Sequence, residues 1–250
     1  MRSDRGNVSE IFVSFQGEGV HAGRRQLFVR FGGCPLRCRY CDTPESLTPV
    51  PTCRILGADG GRERSNPLGI AELEAEVATL RAQSPALHAI AVTGGEPLQQ
   101  SDFLAAWLAR DTAGLPILLE TAGIWPERLA ALLPWTAIVS LDFKCPSNTG
   151  ERARWDEHEA CLRAAVGAGR DVYVKMPVDE ETSPEEIERG ARLVAAVDSR
   201  VPLFLTPLSE PLAPTLTVRV PTLERQQALA SRHHPDVRVL PQLHKVLGIP

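Results

Sequence analysis

From residue 69 onward the chain switches repeatedly between two hydrophobic periods. Over 70–83 the apolar positions Leu73, Val77 and Leu80 fall on one helical face, which predicts an amphipathic helix. The apolar run at 87–93 is short and unbroken, as in a buried strand, and it ends in the turn Gly94-Gly95-Glu96-Pro97. The exchange then recurs. Helices are expected over 101–110, 126–133, 155–168, from Ser183 onward and over 222–233, with strands over 117–121, 137–143, 171–178, 203–206 and 237–240. Upstream, 8–15 and 27–31 also read as strands. Strands alternating with helices imply a parallel sheet. With about six strands in the alternating set, the units are too few for a closed eight-fold barrel, so the expected α/β fold is an open, partial TIM-like barrel with helices outside. Ligands in such folds sit beyond the carboxyl ends of the strands. The loops at 34–43, 93–97, 142–144 and 206–209 all belong to that end.

One stretch departs from the alternation. Residues 44–67 hold prolines at 44, 49, 51 and 67, glycines at 57, 60 and 61, and the patch Arg62-Glu63-Arg64. That composition predicts an irregular insertion within a single domain spanning 1–250. The rest of the composition narrows function by exclusion. A net charge of −4 with scattered Lys and Arg leaves no electrostatic footprint for nucleic acid or an anionic membrane. No apolar run approaches the ~18 residues that span a bilayer. Six cysteines in 250 residues are too sparse for a disulfide scaffold, and with no targeting segment they point to a cytoplasmic protein with reduced thiols.

The chemistry concentrates at Cys34-Pro-Leu-Arg-Cys38-Arg-Tyr-Cys41, a Cys-x3-Cys-x2-Cys loop directly after an apolar strand. Thiolates are soft ligands suited to iron–sulfur clusters, zinc and copper(I). Three ligands are one fewer than a closed zinc site or an ordinary [4Fe–4S] cluster takes, and an open fourth position can bind and activate a small molecule. Two plainer readings compete: inert, buried thiols, or zinc completed by a distant His21 or Cys53. Cys53, Cys145 and Cys161 lie apart from the loop and read as free or structural thiols. Gln16-Gly17-Glu18-Gly19 is either a hairpin turn or a place where backbone approaches a ligand. Arg30, embedded in an apolar run, is either a solvated side chain or an anion-binding one.

The cysteine spacing, with Tyr40 before the last cysteine, resembles the cluster loop of the radical S-adenosylmethionine (SAM) enzymes, and 93–97 resembles their GGEP-type turn. Within that superfamily, Ile11-Phe12, Phe15-Gln-Gly-Glu-Gly19, Phe28-Val-Arg-Phe-Gly-Gly-Cys34, Cys41-Asp-Thr43 and the ending His244-Lys245 through Ile249-Pro250 are similar to the 7-carboxy-7-deazaguanine synthases. The resemblance runs from about Glu10 to the last residue, with 44–67 poorly matched. It implies a radical ring contraction of 6-carboxy-5,6,7,8-tetrahydropterin with loss of ammonia, on a route to deazapurines such as queuosine. It also implies a [4Fe–4S] cluster, SAM used catalytically, an assisting Mg²⁺, an electron donor such as a flavodoxin or ferredoxin, and a homodimer.

Carried over by position, Cys34, Cys38 and Cys41 hold the cluster. Tyr40, Cys41, Asp42, Gly95, Asp142, Phe143, Lys144, Thr206, Pro207, Leu208 and Ser209 line the SAM site. Where the family often reads Ser-Pro-Lys this chain has Asp142-Phe143-Lys144, and only Pro207 is identical in a segment that elsewhere resembles Gln-Pro-Met-Asp. Phe15, Gln16, Gly17, Arg30, Thr93 and Pro250 would bind the pterin, and Thr43 would offer a hydroxyl oxygen to Mg²⁺. The cofactor performs the difficult step in such enzymes, so no side-chain acid or base is expected for hydrogen abstraction. The alternatives are a radical SAM activase acting on a partner protein, which leaves Gln16, Arg30 and Pro250 unexplained, and a non-catalytic zinc-binding module.

Overall fold

Residues 4–57, 60–110, 114–209 and 215–250 are described by a computed structural model. The strands are β1 (Arg5–Gly6), β2 (Val8–Phe15), β3 (Arg25–Phe31), β4 (Thr52–Gly57), β5 (Gly60–Ser65), β6 (Leu68–Gly69), β7 (Ile90–Gly94), β8 (Ile117–Thr121), β9 (Ile138–Asp142), β10 (Asp171–Val178), β11 (Leu203–Pro207) and β12 (Val237–Val239). The helices are α1 (Ile70–Ala82), α2 (Ser101–Leu108), α3 (Pro126–Leu132), α4 (Pro146–Thr149), α5 (Trp155–Gly167), α6 (Pro184–Val197), α7 (Val220–Ser231) and α8 (Leu243–Leu247). The main sheet runs β12-β11-β10-β9-β8-β7-β3-β2-β4-β5. From β3 through β12 every neighbouring pair is parallel, because helices return the chain to the same end after each strand. The sheet stays open, with β12 at one edge and β5 at the other.

The insertion is more regular than its composition suggests. β4 and β5 form an antiparallel hairpin that adds two strands beside β2. Cys53 and Ile55 are buried against the helix-side core while Arg54 faces the cavity, a period-2 alternation masked by the surrounding prolines and glycines. The hairpin is anchored on α1, where the buried Glu76 carboxylate accepts hydrogen bonds from Arg62 and from Arg64 Nε at 2.8 Å.

The same alternation builds the inside of the half-barrel. The outward faces of the strands pack on the helices in one continuous core. Facing inward, Phe28, Ala91, Leu118, Tyr173 and Phe204 form a separate apolar layer with Phe12 and Ile138. Two residues further along five of these strands stand Arg30, Thr93, Glu120, Lys175 and Thr206, which line a cavity. Side chains two apart share a face, so an apolar floor and a polar wall come from the same strands.

Candidate active site

The cavity has a volume of about 570 Å³ and lies at the carboxyl ends of the parallel strands. Its cysteine wall begins where β3 ends. Gly33 adopts φ +98°, a conformation costly for other residues, and turns the chain sharply. The base of the loop is fixed by the Gly33 and Cys34 N–H groups, which donate to the carbonyls of Ser46 (2.8 Å) and Leu47 (3.1 Å). Its outer part rests on α4 through Arg39 N–H to the Thr149 carbonyl, 3.1 Å. Leu36 packs with Ala122 and Ile124 beneath Cys34 and Cys38. All three loop thiols are free and half-buried, and all three line the cavity. Burial pushes the Cys34 thiol up to about 11 and raises that of Cys38. Among the described residues no three His, Cys, Asp or Glu side chains are gathered at metal-holding spacing. The donor set still suits a cluster in kind and number, with three soft thiols on one pinned loop and no fourth beside them. Cys53, Cys145 and Cys161 are fully buried elsewhere.

The Gly94-Gly95-Glu96 turn is set hard against the base of that loop. A Cβ on Gly95 would stand 2.4 Å from the Gly33 carbonyl oxygen and 2.5 Å from that of Ser46. Gly95 N–H donates to Phe31 and Glu96 N–H to Gly33, both at 2.9 Å. The Glu96 carboxylate points away from solvent, accepting from Ala122 N–H (2.7 Å), Thr121 Oγ1 (2.8 Å) and Leu98 N–H (3.0 Å). It ties the end of β7 to the end of β8, and burial raises its pKa.

Beyond β9, Lys144 Nζ donates to Asp142 Oδ2 at 2.7 Å and lies 5.2 Å from the centre of the Tyr40 ring. Burial disfavours the Lys144 cation, but Asp142 outweighs it and keeps the group charged. Phe143 differs from expectation. It is fully buried, is not among the cavity-lining residues, and stacks on His158 with ring centroids 4.7 Å apart. Strand alternation carries Asp142 and Lys144 to one side and Phe143 to the other. His158 Nε2 accepts from Lys144 N–H (3.1 Å) and its Nδ1 faces the Gly123 carbonyl (3.2 Å), which specifies the Nδ1–H tautomer. Burial lowers its pKa to about 4, so the ring is neutral. Pro207 and Ser209 also lie off the cavity, whereas Thr206 and Leu208 line it.

The opposite wall comes from the 16–24 loop, the strand ends and the chain terminus. Gln16 Nε2 donates to Glu120 Oε1 (2.9 Å), whose Oε2 accepts from Thr93 Oγ1 (2.9 Å). Glu18 pairs with the buried Lys175 and accepts from Gln242 Nε2 at 2.9 Å. Arg30 is held by Glu10 through Nε at 2.9 Å, and Arg54 engages the other oxygen of the same carboxylate. The terminal segment docks through Leu243 N–H to the Gly17 carbonyl, 2.9 Å. A Cβ on Gly17 would meet His244 Nδ1 at 2.1 Å, so this approach requires glycine.

Phe15, Gln16, Gly17, Arg30, Thr43, Thr93 and Pro250 line the cavity together with Tyr40, Asp42 and Gly95. Glu10, Glu18, Glu120, Lys175, Gln242 and His244 line it as well, and the sequence alone assigns none of their side chains a role there. For Glu120 and Lys175 a signal existed: Glu120 is the one charge in 117–121 and Lys175 the one charge in 172–178, both largely apolar runs. No helix among the described residues is long and apolar enough to cross a membrane.

Residues 28–194 match the radical SAM superfamily. The chain is 38% identical to the 7-carboxy-7-deazaguanine synthase of Geobacter sulfurreducens, covering 96% of each protein. It is 33% identical to the enzyme of that name from Methanothermobacter thermautotrophicus, covering 98% of each. Among solved structures, QueE from Escherichia coli aligns with a TM-score of 0.57 at 19% identity, over 96% of this chain and 95% of that one. A radical SAM methyltransferase from Sphaerobacter thermophilus aligns with a TM-score of 0.61 at 19% identity, over 87% and 66%. At such identities the two structures speak to the fold alone.

Proposed function

The chain belongs to the radical SAM superfamily and, within it, to the 7-carboxy-7-deazaguanine synthases, and we propose that it converts 6-carboxy-5,6,7,8-tetrahydropterin to 7-carboxy-7-deazaguanine with release of ammonia. The observation that carries this reading is a single cavity with two unlike walls. Three thiols line one side, and an amide–carboxylate–hydroxyl set with a held arginine lines the other.

Cys34, Cys38 and Cys41 would hold a [4Fe–4S] cluster. With SAM bound, that pair supplies the one-electron chemistry that removes a hydrogen atom from the substrate. The remaining tasks fall to the protein. Gly95 lets the backbone approach the cofactor, and Lys144 holds Asp142 beside Tyr40. Gln16, Glu120 and Thr93 form a fixed donor–acceptor array matched to the amino-pyrimidine edge of a pterin. Arg30, turned by Glu10, presents a cation to the substrate carboxylate. Pro250 is exposed at the cavity mouth, within reach of the same heterocycle.

Thr43 lines the cavity two residues past the last loop cysteine and is assigned to Mg²⁺. Thr43→Ala is expected to lower activity at limiting Mg²⁺ while leaving the cluster absorbance unchanged; an unaltered Mg²⁺ dependence refutes that assignment. A one-electron donor of the flavodoxin or ferredoxin kind and a homodimeric state complete the proposal. The test is anaerobic incubation of reconstituted protein with SAM, dithionite and the carboxytetrahydropterin, with mass-spectrometric detection of the deazapurine and assay of ammonia. SAM cleavage without either product would assign the cavity to another radical reaction.

A further inference from the structure

A line of hydrogen-bonded side chains leaves the polar wall and runs down through the barrel floor. Gln16 Nε2 donates both to Glu120 Oε1 (2.9 Å) and to Gln26 Oε1 (3.2 Å), while Gln16 Oε1 accepts from Glu18 N–H (3.1 Å). Gln26 has no exposed surface, and its Nε2 lies 3.1 Å from His88 Nδ1. Amides in series have a direction, since each presents N–H on one side and C=O on the other. The Glu120 carboxylate only accepts, so Gln16 turns its nitrogen toward it. Gln26 then turns its oxygen to Gln16 and its nitrogen to His88, whose Nδ1 has to accept. An imidazolium has no acceptor to offer.

We propose that His88 is a positioning residue for the substrate pocket: its unprotonated Nδ1 fixes the orientation of Gln26, then of Gln16, and so the array around Glu120 and Thr93. The inference rests on the synthase reading above. His88 itself is outside the cavity, and its backbone N–H is fixed on the Arg25 carbonyl at 2.8 Å. The charged and titratable groups facing it are His21, Arg24 and Asp171. The His21 ring lies 4.7 Å away, centroid to centroid, with its Nε2 3.4 Å from Asp171 Oδ2. Burial, then His21 and Arg24, hold His88 below the ordinary histidine range against the opposing pull of Asp171. The ring is therefore neutral at neutral pH and becomes charged only under acid conditions. Charging it sets two donors face to face at Gln26 Nε2. If Gln26 reverses, the same conflict moves to Gln16 and then places an oxygen against Glu120.

Two variants separate positioning from mere support of the fold. His88→Leu removes the acceptor, whereas His88→Asn returns a carbonyl oxygen near the place of Nδ1. Binding of 6-carboxy-5,6,7,8-tetrahydropterin to anaerobic, cluster-loaded protein is measured by calorimetry across pH, with kcat and KM measured alongside. His88→Leu is expected to weaken Kd and raise KM about tenfold, the scale of one unsatisfied buried polar group, with substrate-independent SAM cleavage unchanged. His88→Asn should bind like the parent at pH 7. It should also lack the loss of affinity that the parent shows as pH falls below the usual histidine range. A histidine-ring ¹H–¹⁵N spectrum of the parent should show Nδ1 of His88 unprotonated. A protonated Nδ1, or parent-like Kd and pH dependence in both variants, overturns the relay while leaving the synthase reading intact. A parent that neither binds nor converts the pterin overturns both.

Discussion

Lys175→Met is the sharpest perturbation of the polar wall. The lysine side chain is 6% exposed and its partner Glu18 only 16% exposed, so each charge depends mainly on the other. Burial by itself would raise the Glu18 pKa. Lys175, His244 and the hydrogen bonds from Lys175 and Gln242 overcome it and bring the group from 4.5 down to about 2. That displacement corresponds to roughly 3 kcal/mol. Because the folded-state value lies below the unfolded one, this contribution is fully present above pH 4.5 and is lost as pH falls toward about 2. The methionine keeps the apolar stem and removes the cation, leaving a carboxylate buried with burial as its dominant influence. Urea unfolding followed by circular dichroism at pH 7 should show a loss of about 3 kcal/mol, at the low end for breaking one side of a buried pair. The gap between parent and variant should close as the titration is repeated at lower pH. Adding Glu18→Gln should recover most of the stability but not pterin affinity, since both side chains face the cavity. A single variant within about 0.5 kcal/mol of the parent, the range of an ordinary surface change, or a gap independent of pH, would refute the coupling.

Three further outcomes follow from the site. Cys34→Ala, Cys38→Ala and Cys41→Ala should each abolish turnover and lower anaerobic iron and sulfide content, while Cys53→Ala, Cys145→Ala and Cys161→Ala keep both; an active Cys38→Ala enzyme would end the radical reading. Gly95→Ala forces a methyl group onto two backbone oxygens at 2.4 and 2.5 Å, and the displaced loop should lose cluster absorbance before the fold loses its helical signal. Deleting Ile249 and Pro250, which line the cavity, should raise KM for the pterin while leaving substrate-independent SAM cleavage unchanged; an unchanged KM would show that these residues have no such role.

The barrel was legible because its strands and helices carry different periods and its turns carry Gly and Pro at the ends. The cysteine loop was legible because three ligands lie within eight residues. What escaped is information that only the assembled sheet holds. β4 is crowded by prolines that mask its alternation, and β5 buries almost nothing, so neither carries a countable hydrophobic period. Position along the chain groups Phe143 with Asp142 and Lys144, whereas the pleat sends it to the opposite face. Glu120 and Lys175 stand two residues beyond Leu118 and Tyr173 of the inner apolar layer, a spacing visible in the chain only once the inward face is known. Gln242 carries no local signal at all, and the place of His244 in the ending gives no role, because both are defined by Glu18 and Gly17 at the other end of the protein.

That last contact has a consequence in time. Gln242 bonds Glu18 across 224 residues and Asp42 across 200, so the wall opposite the cysteine loop cannot close until Gln242 has been made. At synthesis rates of about 5–20 residues per second, the cysteine loop precedes its counterpart by roughly 10–40 s. During that interval the thiols are on a chain whose pocket lacks its opposite wall. Loading of the metal centre can therefore begin while the sheet is still being made, and the pterin can be selected only by a finished one.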